Sequence, residues 1–219
     1  MGEHISRDRL VPSSGPDRLL YLLKQTGPAD AESLASELEV SGAAVRQHLY
    51  QLRDQGLVAS RSERRPMGRP AKIWELTPAA SVRLPQAGSP IVDSLLRSTQ
   101  ETLGVAGMQT AVCGCVEDQV ERYRHELKGK RSLKAKLKAL VDLRNEDGFM
   151  AELAAEPGGG FTLYENHCPI ASAVANCSQL CDAELLIFEQ ILSQEAKIIR
   201  LEHMEAGDRR CSYGIIPKR

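Results

Sequence analysis

Three cysteines in the C-terminal part, Cys168, Cys181 and Cys211, are the residues best suited to carry chemistry. Each is expected beside the end of a different element. Cys168-Pro169 opens a helix, proline being favoured in a first helical turn. Cys181 precedes a second helix, which Asp182 would cap, with Leu185, Leu186, Phe188, Ile191 and Leu192 as its apolar residues. Cys211 begins a last strand after the turn Ala206-Gly207-Asp208. Thiols from separate segments can converge on one ion or cluster, and iron–sulfur clusters are held by thiolates in this way. The helix start after Cys168 is expected to lower the pKa of its thiol through backbone N–H groups and the local dipole.

Other arrangements compete with that one. Cys177 and Cys181 form a Cys-x3-Cys pair compatible with zinc, but Cys168 and Cys211 have no close partner. A thiol–disulfide switch without metal is a further alternative. His167 beside Cys168 lacks a third group and an oxyanion hole, so the expectation is no enzyme. Cys113 and Cys115 form a lone Cys-x-Cys in "TAVCGCVED", ambiguous between a strand end and a helix start. They are expected in the core, cysteine being among the most buried residue types.

The elements that position these groups follow from periodicity and punctuation. Residues 1–16 read as a loose arm. Asp17 can cap a helix carrying Leu19, Leu20, Leu22 and Leu23, ended by Gly27-Pro28. Asp30 caps a short helix with Leu34, Ala35 and Leu38 on one face. Glu39-Val40-Ser41 makes a tight turn with Val40 as an apolar plug. Ser41 caps a third helix with Val45, Leu49 and Leu52 inward, and Gly56 ends it. Strands at Leu57–Ala59 and Ile73–Leu76 flank the polar loop Arg61–Pro70. Two short helices across a tight turn, then a β-hairpin, describe a winged helix-turn-helix.

The second helix of that pair offers Ser41, Ala43, Ala44, Arg46, Gln47 and His48 at its N-terminal half. Arginine and glutamine can make bidentate contacts to base edges, and small residues allow close approach to the groove. The loop adds Arg64, Arg65 and Arg69. Between positions 40 and 75 there are seven basic and three acidic residues, a local +4 in a chain of net charge −1. That asymmetry fits a phosphate-binding surface and makes double-stranded DNA the expected partner.

The expected class is α+β: arm 1–16, winged helix 17–84, linker and dimerisation helix 85–103, and a sensor domain 104–219. The linker rests on Pro85-Gln86-Ala87-Gly88-Ser89-Pro90. Ile91, Val92, Leu95, Leu96, Thr99 and Leu103 recur at helical spacing and suggest a homodimer element, since a two-fold operator asks for a two-fold protein. Glu117–Leu143 reads as one basic helix with Leu133, Leu137 and Leu140 buried. The polar N-terminus lacks an apolar core, and no apolar run reaches the ~18 residues of a membrane span, so a cytoplasmic protein without membrane contact is expected.

Two resemblances add to this reading. "LASELEVSGAAVRQHLYQLRDQGLV" followed by "MGRPAKIWELT" resembles the DeoR/ArsR-like winged-helix regulators, whose wing often carries a Gly-Arg-Pro turn. "NHCPIA", Leu180-Cys181 with Glu184 and Phe188, then Gly207-Asp208 and Cys211-Ser212-Tyr213, is similar to the C-terminal domain of SufR-type repressors. The Cys168-x12-Cys181 spacing matches that family's first pair, and Cys211 lies close to its last position. The third cysteine of cyanobacterial members has no counterpart near Glu195. The resemblance implies an iron–sulfur cluster, [4Fe–4S] in preference to [2Fe–2S], on Cys168, Cys181 and Cys211. The fourth position is open among Cys177, His167, Glu165, an exogenous thiol and water. It also implies a repressor of cluster-biogenesis genes that binds palindromic operator DNA as a loaded homodimer and releases it on cluster loss or oxidation.

Overall fold

The computed structural model describes residues 14–64, 70–84 and 89–218, and the chain divides into two compact units at Gln86/Ala87. The first unit is a small helical domain with a wing. α1 (Gly15–Thr26) is capped by Ser14, whose hydroxyl accepts from the Asp17 amide, so Asp17 lies in the first turn and is not the cap. α2 (Ala31–Leu38) is capped by Asp30, which accepts from the amides of Glu32 and Ser33. α3 (Gly42–Asp54) is capped by Ser41, which accepts from Ala44. Between α2 and α3 the turn is made by Glu39 in the left-handed region, φ 56°. Val40 is 45% exposed there, so it is not the expected plug.

β2 (Val58–Glu63) pairs antiparallel with β3 (Ala71–Leu76), and β1 (Ala29–Asp30) adds a short edge to β3. The core joins Leu19, Leu20, Leu23, Leu34, Val45, Leu49, Leu52 and Trp74. Each large apolar side chain buried in it contributes on the order of 1.5–3 kcal/mol. Arg65 and Arg69, expected at the hairpin loop, lie outside the described residues.

The second unit is α+β. α4 (Pro90–Leu127) is interrupted at Gly104, where φ is 67°. Beyond that break Met108, Val112, Val116, Val120, Tyr123 and Leu127 form its buried stripe. Cys113 and Cys115 fall between the stripe positions and are exposed, which overturns their expected place in the core. The helical period decides this, because burying Val112 and Val116 turns both intervening thiols outward. The basic stretch 117–143 is not one helix. Lys128–Ser132 breaks it, with Gly129 at φ 84°, and Ser132 caps α5 (Leu133–Glu146). Leu137 and Leu140 are fully buried as expected.

β4 (Ala151–Ala155), β5 (Phe161–Glu165), β6 (Ala196–Glu202) and β7 (Cys211–Pro217) form an antiparallel sheet in the order β4-β5-β7-β6. Between β5 and β6 the chain makes α6 (Ala171–Asn176) and α7 (Gln179–Leu192). The core joins Leu163, Ile198, Tyr213 and Ile215 of the sheet to Val116, Val120, Leu137, Leu140, Ile187 and Phe188 of the helices. Among the described residues no helix is long and apolar enough to cross a membrane.

Candidate metal centre and nucleic-acid face

The sheet register brings the three cysteines together. Cys211 is the first residue of β7 and pairs with Glu165, the last residue of β5. Cys168 follows three positions beyond Glu165, in the segment leading to α6. The two residues just before it are fixed by backbone bonds, from the Asn166 amide to Met150 O at 3.2 Å and from the His167 amide to Phe149 O at 3.0 Å. α6 starts only at Ala171, so Cys168-Pro169 precedes the helix and does not open it. Cys181 sits inside the first turn of α7, with Asp182 next to it in the same turn and not acting as a cap. The Arg200 guanidinium donates to the Cys181 carbonyl and holds that turn against β6.

Cys168, Cys181 and Cys211 all line one cavity of about 300 Å³, part of it open to solvent. Glu165, Glu184, Arg200 and His203 line it too. Cys177 is buried in the core and is not among the lining residues. His167 is also buried and does not line the cavity, whereas Glu165 does.

Electrostatics at this cavity disfavour three free thiolates. Burial pushes the Cys168 thiol up to about 11, with Cys211, Glu165 and Glu184 adding to the rise and a backbone bond from Ile170 opposing it. This overturns the expected lowering, because the thiol stands outside a short helix in a desolvated pocket. Burial also pushes Cys181 up to about 12, helped by Glu205, Cys168 and Cys211. Cys211 is raised by burial as well, although the Met204 amide donates to its Sγ at 3.5 Å.

Behind the cavity lies a buried ion network. Arg144 is fully buried, donates from Nε to Glu165 at 2.6 Å and pairs with Glu184. Its guanidinium carbon lies 3.3 Å from the Phe149 ring centroid, and it donates to the Tyr123 hydroxyl at 3.2 Å.

Two residues outside the sequence-derived set join the thiols. Ligand atoms of Cys181, His203 and Glu205 lie within 4.8 Å of one another. His203 follows β6 directly and Cys211 begins β7, so the β6–β7 hairpin sets them side by side. A His ahead of Cys211 across the Gly207 turn was the available sequence signal.

On the first unit, Ser41, Ala43, Arg46 and Gln47 are exposed along the start of α3. Ala44 and His48 are half-buried and line a small cleft with Gly15, Arg18 and Leu19 of α1. Arg46 is ion-paired with Glu32 of α2, and Arg61 with Glu75 at 2.6 Å. Arg64 is exposed at the end of the described part of the wing. Tyr50, Arg53 and Lys72 extend this face: the Lys72 Nζ lies 4.8 Å from the Tyr50 ring centroid and 4.6 Å from that of Trp74.

Residues 18–60 match the bacterial regulatory protein arsR family. The N-terminal domain is an ArsR-family winged helix-turn-helix. This DNA-binding domain is that of a transcriptional regulator, and it is followed by the α+β domain with its four-stranded antiparallel sheet. Two solved structures of Lactococcus lactis ZitR variants are similar to the chain at 19% identity and a TM-score of 0.26. One, a double mutant in apo form, covers 60% of this chain and 80% of its own; the other, a single mutant, covers 67% and 81%. A TM-score of that size transfers nothing from those proteins. No curated protein matches the chain in sequence.

Proposed function

We propose that this regulator senses iron–sulfur cluster status, as a repressor of cluster-biogenesis genes that binds palindromic operator DNA as a loaded homodimer. The observation that carries the reading is the convergence of Cys168, Cys181 and Cys211 on one cavity. The donor set fits a cluster. The three thiols are half-buried, burial raises the pKa of each, and Cys211 adds to the rise at Cys168 and Cys181, so they need cationic iron among them before they ionise together. When bound, the cluster supplies an oxidant-labile crosslink between three chain segments.

The protein's own residues turn that crosslink into a signal. Cys168 holds the segment after β5, Cys181 the start of α7 and Cys211 the start of β7. With the three thiols released, those segments lose their common anchor and the sensor domain loosens. DNA affinity then falls. A difference of ~3–5 kcal/mol between the two states suffices for a clear switch in occupancy.

On the DNA side, Ser41, Ala43, Ala44, Arg46, Gln47 and His48 are the candidate readers, with Arg64, Arg65 and Arg69 as the basic residues of the wing loop and Arg69 toward the backbone or minor groove. Arg46 and Gln47 are the exposed pair with base-reading chemistry. Exposed Ile91, Val92, Leu95 and Leu103 on α4 support the homodimer.

The test is anaerobic purification with iron and sulfide analysis and an absorption spectrum, followed by operator binding. Brown protein with a band near ~400 nm is expected, and Cys168→Ser, Cys181→Ser and Cys211→Ser should each lose it together with DNA binding. Colourless protein with stoichiometric zinc would refute the cluster reading in favour of a zinc-structured regulator. Retained iron in all three variants would move the site elsewhere.

A further inference from the structure

We infer that His203, through Nε2, is the fourth ligand of the site, making it Cys₃His; this rests on the proposed cluster function. The imidazole lines the same cavity as the three thiols. Its Nε2 is buried and has no hydrogen-bond partner among the described residues. A buried ring nitrogen left unpaired is costly, and a metal bond is what would relieve it. Its distance to the Glu205 carboxylate is 3.8 Å, and a ligand atom of each of these two residues lies within 4.8 Å of the Cys181 Sγ.

The backbone around His203 is tied down in a way that suits a ligand. Its amide donates to Asp208 Oδ2 at 2.8 Å, and its carbonyl accepts from Ala206 at 2.9 Å and from Asp208 at 3.2 Å. The next amide, of Met204, donates to the Cys211 Sγ at 3.5 Å. The imidazole and the Cys211 thiol are therefore held by one hairpin loop.

The alternatives are occupied elsewhere or point elsewhere. Glu165 is held by Arg144, Cys177 is packed in the core, and His167 does not line the cavity. Glu205 is exposed and hydrogen-bonded to Cys181. Beside three thiolates, a borderline imidazole suits iron better than a hard carboxylate does.

The experiment uses the full-length protein, reconstituted anaerobically with ⁵⁷Fe and sulfide. Pulsed EPR of the reduced form and Mössbauer spectra of the assembled form are recorded with natural and ¹⁵N-labelled histidine. The expected result is a strongly coupled nitrogen that shifts on labelling, together with one iron site distinct from the rest. Both signatures should vanish in His203→Cys while iron and sulfide are retained, and persist in Glu205→Gln and His167→Ala. A cluster with neither signature in the parent protein overturns the inference and leaves the cluster reading intact. So do signatures that survive His203→Cys, or that disappear in Glu205→Gln or His167→Ala instead. A parent protein that takes up no iron and sulfide overturns both, and does so before any variant is made.

Discussion

Arg144 donates from Nε to Glu165 Oε1 at 2.6 Å inside the C-terminal domain, where the arginine side chain has no exposed surface and the glutamate almost none. Glu184 takes a second guanidinium edge and Phe149 covers its face. Glu165 and Glu184 both also line the cysteine cavity. The network thus ties α5, β5 and α7 together at the back of the candidate centre.

Arg144→Met should leave the buried Glu165 and the half-buried Glu184 without their cation. The expected loss is about 3–5 kcal/mol, because an uncompensated buried charge costs more than the pair contributes. Urea denaturation followed by circular dichroism reads this directly. A change below about 1 kcal/mol would mean that the network is solvated in solution.

Burial pushes the Glu165 carboxyl up from 4.5 to about 7, against the pull of Arg144 and with help from Glu184. Between those values the folded metal-free protein holds a proton that the unfolded chain releases. Stability is therefore greatest below pH 4.5 as far as this group is concerned, and it falls as pH rises through about 7. Thermal denaturation of the metal-free protein from pH 5 to 8 should show this slope, and Glu165→Gln should flatten it.

Thiol labelling should divide the six cysteines of the chain by exposure and by protonation. With iodoacetamide near pH 8, the exposed Cys113 and Cys115 should react first. Cys168 and Cys181 hold their protons to about 11 and about 12 and should lag. Cys177, buried in the core, should react last. Mass spectrometry of timed digests checks the order, and fast labelling of Cys177 would contradict the packing of α6 against α7.

On DNA, Arg46→Ala should weaken binding by ~1–3 kcal/mol and relax base preference. Glu32, its ion-pair partner in the free protein, must release it first. Glu32→Gln should therefore tighten binding modestly, as measured by fluorescence anisotropy across a salt series. Equal loss on every sequence for Arg46→Ala would identify a phosphate contact in place of a base contact.

Ile91 and Leu95, four residues apart on α4, are 77% and 65% exposed. If this stripe is the dimer seam, Leu95→Glu should shift sedimentation toward the monomer and abolish cooperative operator binding. Leaving the oligomeric state unchanged would place the seam elsewhere.

The winged helix was legible from the sequence because its signals are local. Asp30 and Ser41 cap the helices they precede, and Val45, Leu49 and Leu52 repeat at the period that buries them. Three cysteines beside element ends were legible for the same reason, although the element bounds near Cys168 and Cys181 differ by a few residues. Tertiary structure alone decided the rest. Antiparallel register set Cys211 beside Glu165, a pairing across many residues that no local period encodes, whereas His203 reaches the site through the short β6–β7 hairpin. It also reversed two expectations. Burial in a shared pocket raised thiol pKa values that a helix start was expected to lower. The inward valines of α4 turned Cys113 and Cys115 to solvent, because side-chain direction follows from which stripe the whole core claims.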